Sequence, residues 1–234
     1  MKREKTAKGK LPLFAAKLVL FLLGLVVLSM GAVSMMKAAL GASSWDVLHI
    51  GLSGLTGLSV GLWVQIVGIL MVGIACILDR RLPQIGSVAN ILLIGFFVNI
   101  FLASSIIPVV TAQWARFVEL VVGIVLMGIG SGMYVASRLG AGPRDGITLS
   151  LVRITGRSVR LVRTCLEGTA LFLGWIAGGP ISFGTFLSVF LVGPVMQASL
   201  RFWTVQVRRW ERRLLPAVDM DQLEQPAQMA ERVS

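Results

Sequence analysis

Leu40-Gly41-Ala42-Ser43-Ser44-Trp45-Asp46-Val47-Leu48-His49-Ile50-Gly51-Leu52-Ser53-Gly54-Leu55-Thr56-Gly57-Leu58-Ser59-Val60-Gly61 has a second copy 99 positions later, from Leu139 to Arg160. Nine of these 22 ungapped positions are identical: Leu40-Gly41-Ala42, Asp46, Leu52, Thr56-Gly57 and Ser59-Val60 fall on Leu139-Gly140-Ala141, Asp145, Leu151, Thr155-Gly156 and Ser158-Val159. Composition alone gives roughly one or two such matches. Upstream, Gly24 and Gly31 fall on Gly123 and Gly130. Downstream, Gly86 and Gly95 pair with Gly184 and Gly193 at a spacing shorter by one. The chain is therefore read as a duplication in which each half carries the same series of elements.

The composition gives the medium in which those halves fold. Of 234 residues, 56% are hydrophobic and 14% charged, and the mean hydropathy is +0.84, an apolar excess that no single soluble core buries. Six stretches approach or reach the roughly 20 residues that a bilayer core requires: Leu13–Met36, Leu62–Leu78, Val88–Ile107, Phe117–Ser137, Leu161–Ala177 and Gly184–Trp203, the second and fifth being short. The reading is an all-α polytopic membrane protein of six transmembrane helices, arranged as two three-helix repeats, each with a short re-entrant or interfacial helix. Because three crossings per repeat is an odd number, the second copy enters from the opposite side and the repeats are inverted, the symmetry of many secondary transporters. The expected segments are a basic cytoplasmic tail over 1–12, repeats over 13–108 and 109–203, and a basic amphipathic stretch with a disordered acidic tail over 204–234.

A net charge of +11 invites a nucleic-acid reading, but the 22 Lys and Arg cluster beside apolar runs. That distribution reports orientation, because Lys and Arg accumulate in cytoplasmic loops. Lys2, Arg3, Lys5, Lys8 and Lys10 precede the first span, whose apolar run is too long for a cleaved signal peptide and reads as an uncleaved signal anchor. With the N-terminus inside, Arg80, Arg81, the Arg138 to Arg160 group and the Arg208 to Arg213 group also fall inside, leaving Lys37 and Arg116 outside. Both termini are then cytoplasmic. Trp63, Trp114 and Trp175 mark the outer interface, and Trp203 and Trp210 the inner exit.

Each duplicated segment reads as a short helix. Ser43 caps the first with Asp46 at its third position and Thr56-Gly57 at its end; in the second, Gly142 precedes Pro143 and Asp145 is again third, with Gly156 closing it. The ordinary role of Asp46 and Asp145 is to satisfy orphan amide hydrogens at the positive helix end. The sharper one is a gate or ion site, since broken helices that line a cavity expose carboxylates and amides to a cargo. His49 lies one turn beyond Trp45, and its counterpart is Thr148, so histidine chemistry would be asymmetric.

At these residues the sequence resembles a known family. The duplicated Leu-Gly-Ala-x-x-x-Asp and Thr-Gly-x-Ser-Val, with Gly184-Thr185 and Gly193-Pro194 in the sixth span, look like the YczE/YyaS/YitT family of bacterial integral membrane proteins, especially its YczE-like branch. The resemblance covers roughly Leu18 to Arg201 and leaves out both tails. It implies a multi-pass protein of the bacterial cytoplasmic membrane and brings no activity, cofactor or catalytic residue with it.

Other side chains qualify the reading. Glu167 lies within the fifth span, four residues after Arg163, so the two can share a face and lower each other's cost in lipid. Gln65, Asn90, Asn99 and Glu119 are candidates for interhelical hydrogen bonds. The small residues Gly24, Gly31, Gly128, Gly130 and Gly132 favour close packing of the first span on the fourth, and Pro194 is expected to kink or break the sixth. Gly51-Leu52-Ser53-Gly54 has the form of an intramembrane serine-protease motif, but the only histidine lies on the same short segment and supplies no separately positioned base. Gly140 to Gly146 lacks the Lys-Ser/Thr of a phosphate loop. Cys76 and Cys165 lie in apolar runs without metal-ligand spacing.

These readings lead to a non-enzymatic protein without cofactor or metal, with the bilayer as its surroundings and no nucleic-acid partner. The leading expectation is a small secondary transporter or facilitator that carries a small molecule or ion. Its candidate substrate or ion site is Asp46, His49, Arg144, Asp145 and Glu167, with Gly41, Gly57, Gly140, Gly156, Pro143 and Pro194 in gating or packing. The alternative is an accessory protein that binds or stabilises another membrane complex through its basic inner surface.

Overall fold

The computed structural model describes residues 2–80, 82–140 and 142–214, with side chains from residue 11 onward. These residues form eight helices and no strand: α1 Lys2–Ala38, α2 Ser44–Thr56, α3 Val60–Asp79, α4 Ile85–Ala103, α5 Gln113–Ser137, α6 Pro143–Thr155, α7 Val159–Ile176 and α8 Phe183–Leu214. Five are long and apolar enough to cross a membrane: Leu11–Ala38 of α1, and α3, α4, α5 and α8. The remaining expected span, α7, is not among these five. α7 is a continuous helix of 18 residues, but Arg160, Arg163 and Glu167 make it less apolar than the other five. Pro216 and the acidic tail lie outside the described residues.

The helix boundaries follow local chemistry that recurs in both halves. Ser43 caps α2 by accepting from the Asp46 amide, while α6 opens on Gly142 and Pro143 with no side-chain cap. Ser59 and Ser158 each accept an amide hydrogen two residues inside α3 and α7. Gly57 and Gly156, with φ of 74° and 65°, close α2 and α6 in the left-handed conformation that glycine adopts without a Cβ penalty. The counterparts Ala39 and Arg138 also share a left-handed backbone, φ 51° and 57°. Arg116 steadies the first of these by donating from Nε and Nη2 to the carbonyls of Ala38 and Ala39. Lys37 donates to the carbonyls of Ser104 and Ile107, so both cations expected outside are held at helix ends, where exposed carbonyls favour positive charge.

The core is organised around the crossing of α1 on α5. A Cβ built on Gly31 would stand 2.4 Å from the Met127 amide nitrogen, and one on Gly130 would stand 2.3 Å from that of Leu28. Gly24 faces Gly130 and Gly31 faces Gly123, so the two helices cross antiparallel with backbones in direct contact. Gly128 and Gly132 serve a different contact, receiving Val195 and Ser199 of α8. α8 runs through Pro194 without ending, so the expected local break is absent. It continues as the basic helix expected after the last span, and there Lys17 of α1 donates to Glu211 at 2.6 Å, with both side chains mostly buried at 16% and 8% exposure.

The short helices pack crosswise, α2 on α7 and α6 on α3. Between these four lies a cluster whose members include the counterpart pairs Leu48 and Ile147, Met71 and Ala170, Leu52 and Leu151, and Val67 and Leu166. The helix-turn positions that join neighbouring elements also correspond. Gly41 (φ 121°) abuts Gly184 and Thr185, and Gly140 abuts Gly86 and Ser87. The halves differ in one seam: α3 and α4 close on Gly61 and Gly95, whereas Gly193, the counterpart of Gly95, borders open space.

Candidate functional site

The first turn and a half of α2 is inaccessible: Ser44 through His49 are all buried. Ser43 Oγ donates to Asp46 Oδ2 at 2.5 Å, and the Asp46 amide reaches back to the same hydroxyl at 3.4 Å. The cap is thus made by Ser43, and the Asp46 carboxylate is held by the serine hydroxyl. His49 Nδ1 stands 3.8 Å from Asp46 Oδ1 and has no hydrogen-bond partner among the described residues, although its side chain is only 4% exposed.

Trp45 carries the site from α2 toward the other half. Its indole Nε1 donates to Glu167 Oε1 at 3.0 Å, and the guanidinium of Arg144 lies over its ring, 5.3 Å from the centroid. The first contact ties α2 to α7, and the second ties α2 to α6. A cation over an indole face is attracted by the negative face of the ring, the more so where water is scarce. Asp145, beside Arg144, receives the hydroxyl of Tyr134 from α5 at 3.2 Å and does not cap its own helix.

Several of these groups line a narrow crevice of about 10 Å³, room for about one water molecule. α6 contributes Arg144, Asp145 and Thr148; α7 contributes Arg163, Leu166 and Glu167; α2 contributes Trp45. Two guanidiniums, two carboxylates, a hydroxyl and an aromatic face converge there, so the crevice is polar and charged. Among the described residues, no group of three or more His, Cys, Asp or Glu is placed to hold a metal ion.

Of the candidate residues, Arg144, Asp145 and Glu167 meet in the crevice, while Asp46 and His49 form a separate buried pair behind Trp45. The two aspartates do not bond to each other. Glu167 is engaged by Trp45, and no ion pair joins it to Arg163 among the described residues, so the Arg-Glu pairing expected from their spacing is not formed. Pro143 takes the first position of α6, Gly57 and Gly156 are the closing caps of α2 and α6, and Gly41, Gly140 and Pro194 have the packing roles given above. Of the polar candidates in the spans, Asn99 bonds Ser59 and the Gly61 amide, and Gln65 donates to the Leu92 carbonyl. Asn90 and Glu119 keep buried side-chain atoms without partners among the described residues.

Trp45, Tyr134 and Arg163 were not marked as site residues by the sequence. Trp45 carried one readable signal, since it is the counterpart of Arg144. Asp79 was also missed, and it receives Ser150 Oγ at 2.8 Å and Arg153 at 3.1 Å, tying α3 to α6.

Residues 15–201 match DUF6198, described as a family of unknown function. The chain belongs to this family. It is 40% identical over 178 residues to the uncharacterised membrane protein YczE of Bacillus subtilis (strain 168), covering 76% of this chain and 82% of that one. An uncharacterised protein of Haemophilus influenzae (strain ATCC 51907 / DSM 11121 / KW20 / Rd) is 30% identical over 178 residues, 76% of this chain and 80% of its own. The uncharacterised protein YyaS of Bacillus subtilis (strain 168) is 28% identical over 176 residues, 74% and 87% of the two chains. No solved structure matches. The family resemblance read from the paired motifs is thereby established, and with it a membrane protein of the YczE/YyaS group.

Proposed function

We propose that the protein is a small secondary transporter or facilitator of the bacterial cytoplasmic membrane, non-enzymatic, with both termini inside and its site between two inverted repeats. The single observation that carries this reading is the stacking of Arg144 on Trp45, because residues 99 positions apart are counterparts, and counterparts meet only near the axis relating two copies. The antiparallel crossing of α1 and α5, also counterparts, supports an axis in the membrane plane. The apolar cluster shared by both halves supports the same axis passing between α2, α3, α6 and α7. An axis of that kind lies at the bilayer midplane, so the charged crevice beside Trp45 and Arg144 is near mid-depth, where transporter sites lie. α7 is then the sixth crossing, with Glu167 turned to the interior and paired with Trp45, as an intramembrane carboxylate requires.

Reconstitution in liposomes with a panel of amino acids, small organic anions, organic cations and inorganic ions tests the reading. Uptake of at least one class above that of empty vesicles, abolished by Arg144→Gln in monodisperse protein, is the expected result. Failure across the panel together with stoichiometric co-purification of a membrane complex would replace it by the accessory reading.

A further inference from the structure

We propose that Asp46 and His49 form a buried proton-binding site in α2. Asp46 Oδ2 is occupied by the Ser43 hydroxyl at 2.5 Å, which leaves Oδ1 turned toward His49 Nδ1 at 3.8 Å. That separation is beyond hydrogen-bonding range, and Nδ1 has no other partner among the described residues although His49 is buried. In the neutral tautomer protonated at Nε2, Nδ1 turns a lone pair to the carboxylate oxygen and makes no bond. One proton taken from water turns Nδ1 into a donor and closes the gap to a charge-assisted N–H···O bond, of about 2.7–2.9 Å. The product is an imidazolium-carboxylate pair, with no bond broken except that of the proton to water. Histidine is the side chain whose ordinary titration lies nearest neutrality; here burial works against the added charge and the Asp46 carboxylate works for it.

The surroundings set the direction of the response. From α6, Arg144 faces the pair through Trp45 and opposes a second positive charge. From α7, Glu167 is bonded to Trp45 and Arg163 lines the crevice. α3 carries Cys76 and Asp79 in its last turn, and Asp79 is engaged by Ser150 and Arg153. The loop from Ala177 to Ser182, which approaches Val47 and Gly51 through Gly179, contains no ionisable side chain. Loading a proton therefore adds charge one helical turn behind the residue that joins the two halves. Coupling of that proton to cargo movement rests on the transport reading; its binding does not.

His49 is the sole histidine of the chain, so its imidazole can be observed without assignment. The chain, with any histidine tag removed, is labelled with ¹⁵N-histidine in lipid nanodiscs and followed by NMR between about pH 4.5 and 9. The expected result is one titration, whose midpoint falls by about one pH unit or more in Asp46→Asn and rises in Arg144→Gln. Opposite shifts in two folded variants are not produced by loosening alone, and Arg144→Gln carries the test if Asp46→Asn does not remain monodisperse. A wild-type imidazole that does not titrate in this range, or a midpoint unmoved by either substitution, would overturn the site. A normal titration with no uptake of any cargo would sink the transport reading and leave the proton site standing.

Discussion

Arg144 lies 5.3 Å above the ring of Trp45, the residue that occupies its own position in the other copy of the repeat. The duplication has been broken at the point where its halves meet: one copy supplies the cation and the other the aromatic face. Two arginines at that place would repel and two tryptophans would leave the crevice with one guanidinium, Arg163, against two carboxylates. The inequality of the copies extends outward, with Asp46 enclosed beside His49 and Asp145 lining the crevice beside Tyr134.

Trp45→Phe keeps an aromatic face for Arg144 and removes the bond from Nε1 to Glu167. We expect a loss of about 1.5–3 kcal/mol, the usual worth of a hydrogen bond to a charged group. Chemical unfolding in detergent measures it. In Glu167→Gln, where the acceptor remains but the charge is gone, the loss should be smaller.

Gly130→Val should destabilise by about 1–3 kcal/mol or more, because its side chain would enter the backbone of Leu28. Gly193→Val, with no atom within 4 Å of a built Cβ, should change stability by less than about 0.5 kcal/mol. Thermal unfolding of the two variants in one detergent compares them directly; equal losses would contradict the assigned crossing.

The sequence made much of this architecture legible before any coordinates. The caps of α2 and α6 could be placed from Ser43, Pro143, Gly57 and Gly156 because each residue type satisfies a local backbone need. The α1 and α5 crossing was readable from glycines spaced seven apart in each half. The site was less readable, because pairing across 122 positions, as between Trp45 and Glu167, leaves no local pattern. Spacing suggested instead that Arg163 and Glu167 neutralise each other, and tertiary contact with the indole prevailed. The fifth span falls short of the other five in apolar character because Arg163 and Glu167 line the crevice, a role that local spacing does not reveal.

Breaking the contact between α1 and the end of α8 gives a further check. Glu211→Ala leaves Lys17 largely buried without its partner and should cost about 3 kcal/mol, whereas the exchange Lys17→Glu with Glu211→Lys should recover most of it. Unfolding at low and high salt distinguishes the pair from a surface contact, since a buried pair is weakly screened.

Tyr134→Phe removes the hydroxyl that, among the described residues, holds Asp145 and should free that carboxylate to swing within the crevice. Stability should fall by about 1 kcal/mol, with a larger proportional effect on uptake than on folding. Asp145→Asn, which retains an acceptor for Tyr134, should keep the stability and lose uptake.

The central claim, that the copies face opposite sides of the membrane, is tested most directly at Leu58 and Arg157, which are counterparts and both exposed. In a chain with Cys76 and Cys165 replaced by serine, single cysteines are placed at each and treated in intact cells with a membrane-impermeant maleimide. Labelling of Leu58→Cys from outside, and of Arg157→Cys only after the cells are opened, is the predicted result. Labelling of both from the same side would contradict the inverted repeat and the mid-depth site built on it.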